Sequence, residues 1–151
     1  MEDCIFCDII TKKLTANIVF ENEDFTAFLD RSPIFKGHTL LIPKKHIETI
    51  FDFPDKELGE MITNAKYISL AIKKAIPCDG ILFINNNVVS QSVPHFHMHI
   101  IPRKKGEILR GFMWPRTKYK EGSKILVFKH HVCRDFFRDY TAEYTIFHSN
   151  N

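Results

Sequence analysis

Apolar positions along this chain switch between two periods, and the switches mark out its elements. Ile5, Phe6 and Ile9 give one apolar face to a short helix over Ile5 to Ile10, with Asp3 placed to cap it near the positive end of its dipole. Ile18 to Glu21 and Phe25 to Leu29 read as the strands of a hairpin that turns through Asn22-Glu23-Asp24. Thr39 to Ile42 is a third strand, stopped by Pro43. From Pro54 to Ile76, residues Leu58, Met61, Ile62, Ala65, Ile68, Leu70, Ala71, Ile72 and Ala75 follow helical spacing over about six turns, and Pro77 ends the run. Ile81 to Ile84 and Phe96 to Ile101 bring the strands to five. This order predicts an α+β domain: a five-stranded antiparallel meander with one short N-terminal helix and one long helix, both to one side.

After Pro102 the pattern loosens. Residues 103 to 129 carry Arg103, Lys104, Lys105, Arg110, Arg116, Lys118, Lys120, Lys124 and Lys129 against Glu107 and Glu121. With Phe112, Trp114 and Tyr119 interleaved, such a stretch suits a nucleic-acid backbone and stacked bases, and equally a solvated loop anchored by aromatics; a loop is the expectation. Further on, Ile125 to Phe128 looks like a strand, and Phe136, Phe137 and Tyr140 line a short helix. The expected organisation is one domain over residues 1–121 and a divergent extension over residues 122–151, packed on that domain.

Composition narrows the class. A chain of 151 residues, 44% hydrophobic and 26% charged, is long enough to bury a core as one globular domain. No apolar run is long enough to span a bilayer and no basic-then-apolar leader is present, so a soluble cytoplasmic protein without a membrane partner is expected. The net charge of +3 suits a phosphate-bearing ligand without requiring nucleic acid. Among the four cysteines, Cys4 and Cys7 stand at CxxC spacing, which fits metal ligation or redox chemistry better than a staple; three residues before Cys4 leave no room for the strand that precedes a thioredoxin-like pair.

The strongest chemical signal is His95-Phe96-His97-Met98-His99-Ile100-Ile101. On a strand the three histidines share one face at about 7 Å intervals, while Phe96, Met98 and Ile100 face the core. One imidazole can then act on a substrate while its neighbours bind metal or donate protons. The pattern resembles the histidine triad (HIT) superfamily of nucleotide hydrolases and transferases. Other segments agree in order: Cys4-Ile5-Phe6-Cys7-Asp8-Ile9-Ile10, Phe28-Leu29-Asp30, the run from Lys36-Gly37-His38 to His46-Ile47, and Asn85-Asn86-Asn87 upstream of Gln91. The similarity spans roughly residues 3 to 119 and points to the zinc-containing, Hint-like branch.

That resemblance implies a site. Cys4, Cys7, His46 and His95 would hold one structural Zn2+ in a closed Cys2His2 set, tying the first helix to the catalytic strand. His97 would attack the α-phosphate to form a nucleotidyl-imidazole that water hydrolyses, with His99 and Gln91 holding phosphate oxygens and Ser92 assisting the leaving group. Asp30 would accept from the ribose hydroxyls, Ile5, Phe6, Ile9 and Phe28 would sandwich the base, and His38 and Asn85 would support the site. The apolar four are equally explained as core. The implied ligand is a purine nucleotide or nucleotide conjugate, and the implied assembly a homodimer burying apolar surface of the long helix and a central strand.

Two departures stand out. Val88-Val89-Ser90 replaces the glycines often found before the Gln-Ser pair, leaving Asn86 as an alternative to Asn85, and Pro94 removes a backbone donor just before the triad. The leading function is a hydrolase acting at the α-phosphate of a dinucleoside polyphosphate or nucleoside phosphoramidate. The alternatives are a nucleotidyl transferase and a nucleotide-binding regulatory module with little turnover. A nucleic-acid-binding zinc protein lacks the compact ligand spacing of a finger.

Overall fold

A computed structural model describes residues 4–107. The domain boundary expected at 121/122, the strand and helix expected after residue 122, and most of the basic segment lie outside the described residues. So does Asp3, and the position it was expected to fill is taken by Cys4, which caps α1 (Ile5–Ile10) without a side-chain cap bond. Lys12, in the left-handed region at φ 61, closes that helix: its amide donates to the Ile9 carbonyl and the Lys13 amide to Asp8, a paired-bond stop that holds a six-residue helix together.

Five strands form one antiparallel sheet: β1 (Ile18–Glu21), β2 (Phe25–Leu29), β3 (Thr39–Pro43), β4 (Gly80–Ile84) and β5 (Met98–Arg103). The spatial order is β1-β2-β3-β5-β4, which corrects the expected meander. After β3 the chain crosses through α2 (Asp55–Ala75) to the sheet edge, and β5 returns between β3 and β4, pairing Leu40 with His99 on one side and Ile84 with His99 on the other. The strand that carries His99, and that the buried His95 and His97 lead into, thus gains neighbours on both edges.

The helices also lie on opposite faces, not on one. Phe25, Ala27, Leu41, Phe96, Met98 and Ile100 pack with Met61, Ala65, Ile68 and Ile72 of α2. Phe28, Leu40 and Ile42 pack with Cys4, Phe6 and Ile9 of α1 and its N-terminus. The cause is visible in β2 and β3, whose residues from Phe25 to Phe28 and Thr39 to Pro43 are all buried: a continuous apolar run needs cover on both sides. On β5 the period of two therefore sends Phe96, Met98 and Ile100 to the α2 core and the histidines to the α1 face.

The long helix ends as expected. Ile76 is already extended at φ -134, ψ 130, as the residue before proline must be, and Asp55 and Glu57 in the first turn and Lys73 and Lys74 in the last complement its dipole. Strand β5 begins at Met98, two residues later than Phe96. Opposite the lead-in lies Pro43, which has no N–H to give the ladder and whose carbonyl accepts from the His95 ring, and the Phe96 amide donates to the Ile47 carbonyl at 2.6 Å. Pro43 closes β3 as its last residue. Among the described residues, no helix is long and apolar enough to cross a membrane.

Candidate functional site

The first turn of α1 places Cys4 and Cys7 on one side, three residues apart. The chain after β3 brings His46 to them, and the lead-in to β5 brings His95. Nδ1 of His95 lies 3.5 Å from Cys4 Sγ and 3.6 Å from Cys7 Sγ, and Nδ1 of His46 lies 3.3 Å from Cys7 Sγ. All four ligand atoms fall within 4.8 Å of one another. The far nitrogen of His95 donates to the Pro43 carbonyl at 2.9 Å, so its proton sits at Nε2 and the Nδ1 lone pair faces the thiols.

Electrostatics favour a cation here. Burial, then the hydrogen bond with and charge of Cys4 and the charge of Asp8, push the Cys7 thiol up to about 11, because a second anion has nothing to neutralise it. Burial, with the charges of His46 and His97, takes His95 down to about 4 despite its bond to Pro43, so its imidazole is neutral and free to ligate. Two sulfur and two nitrogen donors, one imidazole held from behind by the Pro43 carbonyl, fit a tetrahedral, borderline-soft metal ion.

On the same face, His97 is 2% exposed and its Nδ1 lies 2.7 Å from the His95 carbonyl oxygen. A carbonyl only accepts, so Nδ1 carries the proton and, in the neutral ring, Nε2 keeps its lone pair. That is the polarity of a nucleophile or a base. The Asn85 side chain donates to the His97 carbonyl at 2.8 Å, bracing this stretch, whereas Asn86 reaches only the Ser90 carbonyl within its own loop. The Phe6 ring stands edge-on to His97 at 5.3 Å and to Phe28 at 5.6 Å.

His99 is joined to a second row of groups. Its Nδ1 lies 2.9 Å from Nε2 of His38, and Nδ1 of His38 lies 3.5 Å from Asp30 Oδ2. Burial lowers His38 against the opposing charge of Asp30. Burial, then the charges of His97 and His38, takes His99 down to about 4. Both rings are neutral at physiological pH.

A buried strand with lead-in histidines, a helix-borne CxxC and a buried His38 backed by Asp30 converge on one face of one sheet. The HIT domain profile matches residues 11–106, the stretch that holds all of these except α1 and its cysteines. The chain belongs to the HIT family.

Among its HIT relatives, an uncharacterized HIT-like protein of Methanocaldococcus jannaschii is 46% identical over 106 residues, 69% of this chain and 81% of that protein. An adenosine 5'-monophosphoramidase of Saccharomyces cerevisiae is 36% identical over 126 residues, 81% of this chain and 77% of the enzyme. A HIT family member from Bacillus subtilis superposes with a TM-score of 0.75 at 37% identity, over 88% of this chain and 97% of that one. A Zn-bound histidine triad family protein from Mycobacterium smegmatis superposes at 0.69 and 32% identity, over 76% of this chain and 84% of that one.

The remaining residues singled out for their HIT resemblance are placed as follows. Phe6, Ile9 and Phe28 are buried against one another and Ile5 is exposed. Ser92 is exposed. Both ends of the Gln91 side chain meet backbone: Nε2 donates to the Glu48 carbonyl at 2.7 Å and Oε1 accepts from the Val88 amide at 2.8 Å. Sequence reasoning missed Asn87, which donates to the Asn85 side-chain oxygen and accepts from the Ile50 amide at 2.7 Å, tying the loop to the 3-10 turn at Ile50–Asp52. The run of three asparagines was its only signal. In the glycine-free stretch before Gln91, Val88 and Ser90 adopt φ 65 and φ 60. A β-branched residue in the left-handed region is strained, and the Gln91 and Asn86 side-chain bonds hold it there.

Proposed function

We propose that the protein is a nucleotide hydrolase that cleaves at the α-phosphate of a nucleotidyl substrate, such as a nucleoside phosphoramidate or a dinucleoside polyphosphate, through a covalent nucleotidyl-His97 intermediate. The observation that carries the proposal is the 2.7 Å bond from His97 Nδ1 to the His95 carbonyl, which leaves Nε2 of the neutral ring unprotonated. Nε2 attacks phosphorus, the bond to the leaving group breaks, and the leaving group departs with a proton that the exposed Ser92 hydroxyl helps deliver. Water then attacks the same phosphorus and the P–N bond breaks, releasing the nucleoside monophosphate and His97. His99 and Gln91 hold the phosphate oxygens, Gln91 after exchanging a backbone contact for substrate. Asp30 reads the ribose, Ile5, Phe6, Ile9 and Phe28 flank a purine, and His38 and Asn85 support them. The phosphoramidase activity named for the yeast relative supports this reading.

Cys4, Cys7, His46 and His95 would hold Zn2+, which supplies a cross-link and, with all four positions filled by protein, no activated water. The zinc-bound mycobacterial relative supports that identity. The acting unit is a homodimer: Ile62, Tyr67 and Leu70 on α2 and Phe83 on the edge strand β4 are exposed apolar groups suited to a second copy, and light scattering at micromolar concentration tests it.

The deciding experiment is hydrolysis of a fluorogenic adenosine phosphoramidate by wild type and His97→Ala. Acid quenching or alkaline quenching of wild type in turnover distinguishes a base-stable, acid-labile nucleotidyl-histidine from direct attack by water. A His97→Ala protein that kept its rate would remove the reading.

A further inference from the structure

Asp30, His38 and His99 lie close enough together for each to turn one ligand atom to a common point, but both nitrogens of His38 already face partners within the chain. His38 turns Nδ1 toward Asp30 and Nε2 toward His99. The two nitrogens of one imidazole point away from each other, so a single ion cannot use both. What remains is a directional row of hydrogen bonds, and its direction is fixed at one end by backbone.

The Ile34 amide donates to Nδ1 of His38 at 3.3 Å. An amide N–H only donates, so Nδ1 of neutral His38 is the acceptor and its proton resides on Nε2. That proton points at Nδ1 of His99, 2.9 Å away, which must accept. Neutral His99 is then protonated on Nε2, its other nitrogen. We infer that His38, held by the Ile34 amide, is a positioning residue that fixes His99 as an N–H donor to the substrate's phosphoryl oxygens. The inference rests on the nucleotide-hydrolase reading for its catalytic consequence, and on geometry alone for the tautomer.

The consequence is a pair of like side chains with opposite polarity. His97 and His99 have ring centroids 5.1 Å apart, yet the His95 carbonyl makes one present a lone pair and the Ile34 amide, through His38, makes the other present a proton. With the other tautomer, His99 would turn a lone pair toward anionic oxygens. If His38 gains a proton, its Nδ1–H turns to Asp30 and Nε2–H still faces His99, so the polarity of His99 does not depend on the charge of His38. The loop that delivers the Ile34 amide is closed by its own bonds: Asp30 amide to His38 carbonyl at 2.9 Å, His38 amide to Phe35 carbonyl at 3.0 Å, and Ser32 amide to Asp30 Oδ1 at 2.7 Å.

The test is long-range proton–nitrogen NMR of the histidine rings in the free full-length chain, together with steady-state kinetics. Wild-type His99 is expected to show the Nε2–H pattern with an unprotonated Nδ1. His38→Gln, whose amide nitrogen superposes on Nε2, is expected to keep that pattern and to turn over within about tenfold of wild type. His38→Met, similar in bulk but without a donor, is expected to mix the tautomers and lose about a hundredfold in kcat with KM changed only a few-fold, the loss of one donor felt in the transition state. Protonation of wild-type His99 at Nδ1 overturns the inference even if His38→Met fails to fold. So does a His38→Met protein that keeps both the Nε2–H pattern and its rate. If no nucleotide substrate is cleaved by wild type, the hydrolase reading fails while the ring spectra still decide the tautomer.

Discussion

His95 joins the metal-type cluster to the nucleophile through its own two ends: its side chain faces Cys4 and Cys7, and its backbone carbonyl accepts the Nδ1 proton of His97 at 2.7 Å. Disturbing the cluster should therefore reach the reacting nitrogen without touching it. Cys4→Ser and Cys7→Ser are expected to lower zinc content by elemental analysis, to lower the melting temperature, and to reduce kcat. Unchanged metal content and melting temperature in both variants would refute the assignment.

Acid should weaken the metal-free protein in a defined window. His95 and His99 each sit at about 4 in the folded chain against about 6.5 unfolded, because burial penalises the imidazolium. Between those values the unfolded chain binds more protons than the folded one, so stability falls as pH drops from about 6.5 to about 4 and levels off below. Urea midpoints measured on chelator-treated protein at pH 7.5 and pH 4.5 check the sign. A midpoint that rose on acidification would contradict it.

Asp30 is partly exposed, with one oxygen accepting from the Ser32 amide and the other 3.5 Å from His38. If it reads the ribose, Asp30→Ala should weaken a ribonucleotide by roughly 1.5 to 3 kcal/mol, the value of charge-assisted hydrogen bonds, and a 2',3'-dideoxy analogue hardly at all. Titration calorimetry with both ligands separates the cases, since equal losses would mark Asp30 as structural.

The strained Val88 offers a gain. At φ 65 a valine suffers crowding of its branched side chain, and 71% of its surface is exposed, so little packing is lost on removal. Val88→Gly is expected to stabilise the protein by about 0.5 to 1 kcal/mol after the entropy cost of glycine. Chemical denaturation reads this directly, and a loss of stability would mean that the loop depends on the valine side chain.

Much of this is legible in the sequence. The period of two along His95 to Ile100 separated chemistry from core, and the helical spacing from Leu58 to Ile72 located α2. The layering is less plain, although its sign is there: β2 and β3 show no alternation, and that is what burial on both faces looks like. Strand order escaped because the place of β5 between β3 and β4 is decided by partners far away in sequence. The groups that set imidazole polarity, the Pro43 and His95 carbonyls and the Ile34 amide, carry no residue signature at all.

The insertion of β5 has a consequence for synthesis. Its partners wait on either side, with His38 meeting His99 across 61 residues and Cys4 meeting His95 across 91. While a ribosome is still making the chain, β3 has an empty flank, Cys4 lacks His95, and β4 has no partner among the described strands until β5 emerges. Long loops must close before these contacts form, so the sheet and the reactive centre mature together and late. A nascent chain stalled before His95 holds both helices and the other four described strands but none of the triad histidines.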